Sequence, residues 1–271
     1  MKCTVFTGCS YPAGIGLTDK SDSNDLWVNI LYKSIKELSN TKLLNLAISG
    51  STNQDIFQAS IQAVINNDCK YLFVSWTELL RYKLNPATEL YDTSLYWTTN
   101  SPLNDVNINP NINISANYQK NIRNRFFDLH HPHYLILKIL TYSKILSDLC
   151  KKLGVTVFFL NSLITNWDNN YFKKIVTTTP KDTTIYTQKI LNLVTRDDKE
   201  YLAIYNQIHQ DYLITGGLEC TWLNLYNSFR NDFYLDLGND NIHPGIKSHR
   251  AYSDFLIEKL NNILKNDNYY S

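Results

Sequence analysis

Short apolar, β-prone runs that end on turn residues, each followed by a stretch of helical period, constrain this chain more than any other feature. Cys3 to Thr7 is the first such run, and it passes directly into the turn-forming stretch Gly8-Cys9-Ser10-Tyr11-Pro12-Ala13-Gly14. Leu26, Trp27, Ile30, Leu31, Ile35 and Leu38 then recur at helical spacing, which predicts a helix over 25–38 with Asn24 or Asp25 as its cap. Lys42 to Ile48 is a second apolar run, closing on Ser49-Gly50-Ser51. A helix-period face follows from Ile56 to Ile65, and a third strand is predicted over Tyr71 to Ser75. Further along, a helix over Tyr134 to Leu149 stopped by Gly154, a fourth strand over Val155 to Leu160 and a closing amphipathic helix from about Ile246 to Leu264 continue the pattern. Strands that alternate with helices predict a mostly parallel sheet covered on both faces.

Two segments interrupt the alternation. From Tyr82 to about His133 the chain is rich in Asn and studded with aromatics, poor material for regular core elements, and reads as an insertion. Its Tyr91, Tyr96, Trp97, Phe126 and Phe127 suit either a lid over a site or simple packing onto the domain. Residues 162–239 are mixed and aromatic, with helical stretches near Ile190 and Ile204, and read as a second insertion. At 271 residues and 44% apolar content, the chain can bury one sizeable core, so a single domain over 1–271 is expected.

Bulk properties exclude several classes of function. The net charge is +1 with charges spread along the chain, so no basic face for nucleic acid is visible. The strongest apolar run, Val155 to Leu160, falls far short of the roughly 20 residues that span a bilayer. Five cysteines, widely spaced and without a Cys-x-x-Cys pair, read as reduced thiols; with no secretory signal pattern at the N-terminus, a cytoplasmic location is expected.

Open α/β sheets place their sites beyond the carboxyl ends of the strands, which directs attention to the segments after Thr7, Ile48 and Ser75. Ser10 lies two residues after Gly8, where a tight turn exposes a hydroxyl and aims a backbone N–H at a developing oxyanion, although a serine in such a turn is also an ordinary turn residue. Near the other end, Asp240-Asn241-Ile242-His243-Pro244-Gly245 places an aspartate three residues before a histidine. That spacing supplies a base and its orienter, or more simply a helix cap and an exposed imidazole.

Taken together, these blocks resemble the SGNH or GDSL hydrolases, serine esterases with four short sequence blocks. Phe6-Thr7-Gly8-Cys9-Ser10 is similar to the first block, with Cys9 where the family has aspartate. Asn45-Leu46-Ala47-Ile48-Ser49-Gly50 is similar to the second, Ser75-Trp76-Thr77-Glu78 to the third and Asp240-x-x-His243-Pro244-Gly245 to the last. The resemblance implies a flavodoxin-like three-layer α/β/α sandwich and a serine ester hydrolase that needs neither cofactor nor metal. It implies Ser10 as nucleophile, His243 as base, Asp240 as its orienter, and Ser10, Gly50 and Thr77 as the oxyanion hole. Thr77 departs from the family's asparagine; its hydroxyl donates one hydrogen bond with a shorter reach, and Asn53 is the alternative donor. Asn53 and Arg81 are candidates for substrate binding, and the expected substrate is a small-molecule or glycan acyl ester, with a carbohydrate O-acetyl group preferred.

Three other readings compete. Departure at Thr77 also fits a catalytically weak SGNH-like binding or structural module. The glycines from Gly8 to Gly16, with Tyr134-x-x-x-Lys138, loosely resemble a short-chain dehydrogenase, but the glycine spacing is longer than that turn tolerates. Asp128, His130, His131 and His133 have metal-ligand character, yet Pro132 falls among them and no second ligand pair is near, so a helix start is the preferred reading.

Overall fold

The computed structural model describes residues 1–77, 82–84, 95–97, 132–161, 220–222, 235–241 and 243–267. In chain order the elements are β1 (Cys3–Thr7), α1 (Trp27–Ser34), α2 (Lys36–Ser39), β2 (Lys42–Asn45), α3 (Asn53–Asn66), β3 (Cys69–Trp76), β4 (Tyr82–Leu84), β5 (Leu95–Trp97), α4 (Pro132–Leu153), β6 (Thr156–Asn161), β7 (Cys220–Trp222) and α5 (Ile246–Asp267). Among the described residues five strands form one sheet in the order β2-β1-β3-β6-β7, and every neighbouring pair is parallel. With the separate antiparallel β4–β5 hairpin set aside, this is the 2-1-3-4-5 order of a flavodoxin-like doubly wound sheet.

Successive residues of a strand point to opposite faces, and along β1, β3 and β6 both faces are buried. Val5, Leu72, Val74, Trp76, Val157 and Phe159 face α3 and α4, where Ile56, Ala63, Val64, Ile139 and Leu146 complete one core. The intervening Phe6, Tyr71, Phe73, Phe158 and Leu160 face α1 and α5 and pack with Leu26, Trp27, Leu31, Tyr252 and Leu256 in a second. The architecture is therefore a three-layer α/β/α sandwich. Phe6, Phe73 and Phe158 are register partners on three adjacent strands, and their rings stack at 4.5 and 4.7 Å. Trp27 meets Phe6 edge-on at 5.7 Å and Tyr252 meets Trp27 edge-on at 5.2 Å, so the α1/α5 layer rests on that aromatic ladder.

Several boundaries differ from expectation. The helix predicted over 25–38 breaks at Ile35, whose backbone is extended (φ −105°, ψ 114°), and this break lets both Ile35 and Leu38 bury. Neither predicted cap serves α1: Asp25 pairs with Arg250 of α5 at 2.7 Å, and Asn24 accepts from Lys33 at 2.6 Å. The second strand stops at Asn45, although Leu46 and Ile48 still donate backbone N–H groups to Phe6 and Gly8 beside β1. Part of the 82–133 segment forms the β4–β5 hairpin, and β7 arises inside 162–239, where three residues are too few to show an alternation. The helical stretches near Ile190 and Ile204 lie outside the described residues. Cys3, Cys9, Cys69 and Cys150 are buried free thiols, and burial first, then neighbouring groups, pushes Cys69 and Cys150 up to about 12. Among the described residues no helix is long and apolar enough to cross a membrane.

His249, in the first turn of α5, is completely buried. Burial drives its imidazole down to about 4, against the opposing pull of Asp236 and Asp25, and the nearby His243 adds to the depression. An unfolded chain binds this proton near pH 6.5 while the native state refuses it until about pH 4. The stabilisation is thus complete above about pH 6.5 and is lost as pH falls toward 4, a total of about 3 kcal/mol. Urea unfolding across this window should show the wild type losing stability more steeply than His249→Leu; parallel curves would count against a buried neutral imidazole.

Candidate active site

Strand order reverses direction between β1 and β3, since the chain passes from β1 out to β2 at the edge and then returns to β3 on the far side. Such a switch point opens a crevice beyond the carboxyl ends of the two strands. Ser10 lies there, three residues past the end of β1, and is 4% exposed. Its loop turns tightly: Ala13 N–H donates to Cys9 O, Gly14 N–H to Tyr11 O and Ile15 N–H to Ser10 O, at 3.1–3.3 Å. Gly8 begins the turn because a Cβ there would lie 2.5 Å from Pro12 Cγ and 2.9 Å from Ser75 Cβ. Beneath the loop, Thr7 Oγ1 and Ser60 Oγ are 2.7 Å apart, tying the end of β1 to α3, and Asn45 Nδ2 donates to Pro12 O at 2.7 Å.

Asp240 and His243 share one short loop. The imidazole Nδ1 lies 2.6 Å from Asp240 Oδ2, while Oδ1 accepts the backbone N–H of His243 at 2.9 Å. Each carboxylate oxygen is thus committed to the histidine, one to its ring and one to its main chain. A proton carried on Nδ1 and directed at this carboxylate would leave Nε2 as the basic nitrogen. Asn241 adopts φ +55° between them, and Gly238 N–H closes the loop on His243 O at 2.7 Å.

This loop is bound to the Ser10 loop. Tyr11, the residue after Ser10, meets the His243 ring edge-to-face with centroids 6.0 Å apart. Asn239 N–H donates to Gly16 O at 2.8 Å, and Asn239 Nδ2 donates to Thr18 Oγ1 at 3.0 Å. Two glycines make the crossing possible: a Cβ on Gly238 would sit 2.4 Å from Gly16 O, and one on Gly16 (φ +96°) would sit 2.9 Å from His243 Cβ. The stretch that loosely resembled a dehydrogenase turn is therefore occupied in seating the histidine loop. Lys138, half of the accompanying Tyr-Lys pair, reaches Gln54 Oε1 at 3.2 Å.

The second and third blocks meet at the same end of the sheet. Gly50 has φ +82° just ahead of α3, whose first turn is closed by a reciprocal cap between Thr52 and Asp55. Thr77 follows β3 and is fully buried, and its Oγ1 has no hydrogen-bond partner among the described residues. Its main chain is clamped by the Asn53 side chain: Thr77 N–H donates to Oδ1 at 2.8 Å and Nδ2 donates to Thr77 O at 3.1 Å. The amide considered as a direct donor thus grips the backbone of the residue it was to replace. Arg81 lies outside the described residues, as do Asp128, His130 and His131; His133 falls in the first turn of α4, which begins at Pro132.

Tyr11, Gly16, Gly238 and the Asn53 clamp were not singled out from sequence for these contacts. In the sequence Gly16 figures only in the loose dehydrogenase resemblance and Asn53 only as a candidate donor or substrate-binding residue, and nothing there points to Gly238.

No protein-family model and no curated protein matches the chain. Among solved structures it is similar to the psychrotrophic esterase EstA from Pseudoalteromonas sp., with 12% identity, coverage of 98% of this chain and 100% of that one, and a TM-score of 0.49. It is also similar to TesA, at 13% identity, 98% and 99% coverage and a TM-score of 0.45. A catalytic mutant of an acetylxylan esterase from Geobacillus stearothermophilus aligns at 10% identity, with 95% and 93% coverage and a TM-score of 0.45.

Proposed function

We propose that this chain is an SGNH-type serine ester hydrolase that works through an acyl-enzyme on Ser10. The observation that carries the reading is the Asp240–His243 pair, joined at 2.6 Å on a loop bound to the Ser10 loop at the switch point of the sheet. In this scheme His243 Nε2 removes the Ser10 hydroxyl proton as Oγ attacks the ester carbonyl. Asp240 holds the imidazole and stabilises its charged form. The proton passes from Nε2 to the departing alkoxide; water, deprotonated by the same nitrogen, then attacks the acyl carbonyl, and Nε2 returns that proton to Ser10 Oγ as the acid leaves. The chemistry requires no cofactor.

Backbone N–H groups of Ser10 and Gly50 and the Thr77 hydroxyl are the proposed donors to the oxyanion. Support for Thr77 comes from its buried Oγ1, which has no partner among the described residues, and from a main chain fixed by Asn53. A donor held in place before the reaction incurs no reorganisation in the transition state. The preferred substrate is an O-acyl ester of a small molecule or carbohydrate, O-acetyl above all.

Two experiments test this reading. Wild type should hydrolyse p-nitrophenyl acetate or butyrate and label with a fluorophosphonate at Ser10, and Ser10→Ala should lose both. A folded wild type that neither turns over nor labels would favour the binding-module alternative that Thr77 allows. Thr77→Val, which removes the hydroxyl at nearly constant volume, should lower kcat by about 100- to 1,000-fold with little change in KM. An unchanged kcat would remove Thr77 from the oxyanion hole.

A further inference from the structure

Asp236 and Ser248 close the base of the loop that carries Asp240 and His243, and the acyl-transfer scheme uses neither side chain. Asp236 Oδ1 accepts from Ser248 Oγ at 2.7 Å and from Ser248 N–H at 2.9 Å, and Oδ2 accepts from Lys247 N–H at 3.0 Å. In return Ser248 Oγ accepts the N–H groups of Leu235 and Asp236 at 2.9 and 3.0 Å. Gly245 N–H adds a bond to Asp236 O at 2.9 Å, and a bridge between Leu237 and Pro244 continues the closure upward. The carboxylate caps the first turn of α5, where both its charge and its acceptors suit the free N–H groups. Although partial burial opposes it, these hydrogen bonds and Lys247 hold the Asp236 carboxyl below its ordinary range.

The chain leaves this staple, carries Asp240 and His243 across the Gly16 crossing, and returns to it. Ser248 is fully buried, and α5 is anchored in the core through Tyr252, Leu256 and Leu260. The staple therefore joins a partly exposed loop to a helix packed into the core. Without these side-chain bonds the loop would keep its crossing at Gly16 and its main-chain closures from Gly238 to His243 and from Gly245 to Asp236, but would lose its tie to the first turn of α5, and the imidazole would move relative to Ser10.

We propose that Asp236 and Ser248 are positioning residues that hold the Asp240–His243 pair in place over the Ser10 loop, an inference that rests on the esterase reading. The test compares Asp236→Ala, Ser248→Ala and the double variant with the wild type by steady-state hydrolysis of p-nitrophenyl acetate. It also follows the far-downfield proton resonance of His243 Nδ1–H, assigned by its loss in Asp240→Ala. Each single variant should lose kcat on the order of 10- to 100-fold with KM nearly unchanged, and the resonance should broaden. Because the two residues share one network, the double variant should be little worse than Asp236→Ala.

Folded single variants with wild-type kcat and a sharp resonance would overturn the proposal, as would a wild type without the resonance or fully additive losses. If Asp236→Ala does not fold, Ser248→Ala, which leaves the main-chain bonds to the carboxylate intact, decides alone. A wild type that hydrolyses no ester would defeat the esterase reading instead, and the resonance in the variants would still decide whether the staple orders the pair.

Discussion

Three phenylalanines on adjacent strands, Phe6, Phe73 and Phe158, stack across the centre of the sheet, and the rest of the structure depends on that ladder. With both faces of the sheet buried, a slip of one residue in any of the three strands would send its phenylalanine into the opposite core. Register is therefore fixed, and with it the height at which each strand ends. Thr7, Asn45 and Trp76 close their strands along the same edge of the sheet, so the segments carrying Ser10, Gly50 and Thr77 emerge side by side. Trp27, edge-on to the ladder, and Tyr252, edge-on to Trp27, carry the same constraint outward to α5 and the loop before it.

The candidate site is built by main-chain hydrogen bonding more than by charge. Gly16 O receives Asn239, Gly238 N–H closes on His243 O, Asn53 grips both polar groups of the Thr77 main chain, and Asp236 gathers the first N–H groups of α5. Such bonds are modest singly, but their geometry leaves each loop few alternatives. Asp240 is the exception, a charge directed at a ring that gains a proton during the proposed reaction. Its side chain is partly exposed, at 34%.

What was legible in the sequence followed from the range of the interactions. The parallel, two-faced sheet appeared as apolar runs closed by turn residues, because strand burial is encoded within five to eight consecutive residues. Asp240 and His243 are three residues apart, so their contact is local and was readable as a spacing. The break at Ile35 was hidden because both halves keep helical periodicity, and β7 because a three-residue strand has no period to detect. Asp25 looked like a cap until Arg250, 225 positions away, claimed it.

By itself the sequence determined the layer architecture, the order of strands and helices through most of the sheet, and the residue types available at the ends of β1 and β3 and before α5. Only the tertiary structure decided that Gly16 and Gly238 cross, that Asn53 serves the Thr77 backbone, and that Asp236 and Ser248 bind the histidine loop to its helix. The division has a physical cause. Side-chain period and turn chemistry act between neighbours in the chain, whereas the approach of two loops is set by how layers pack, and a glycine in sequence announces freedom without naming the neighbour that needs it.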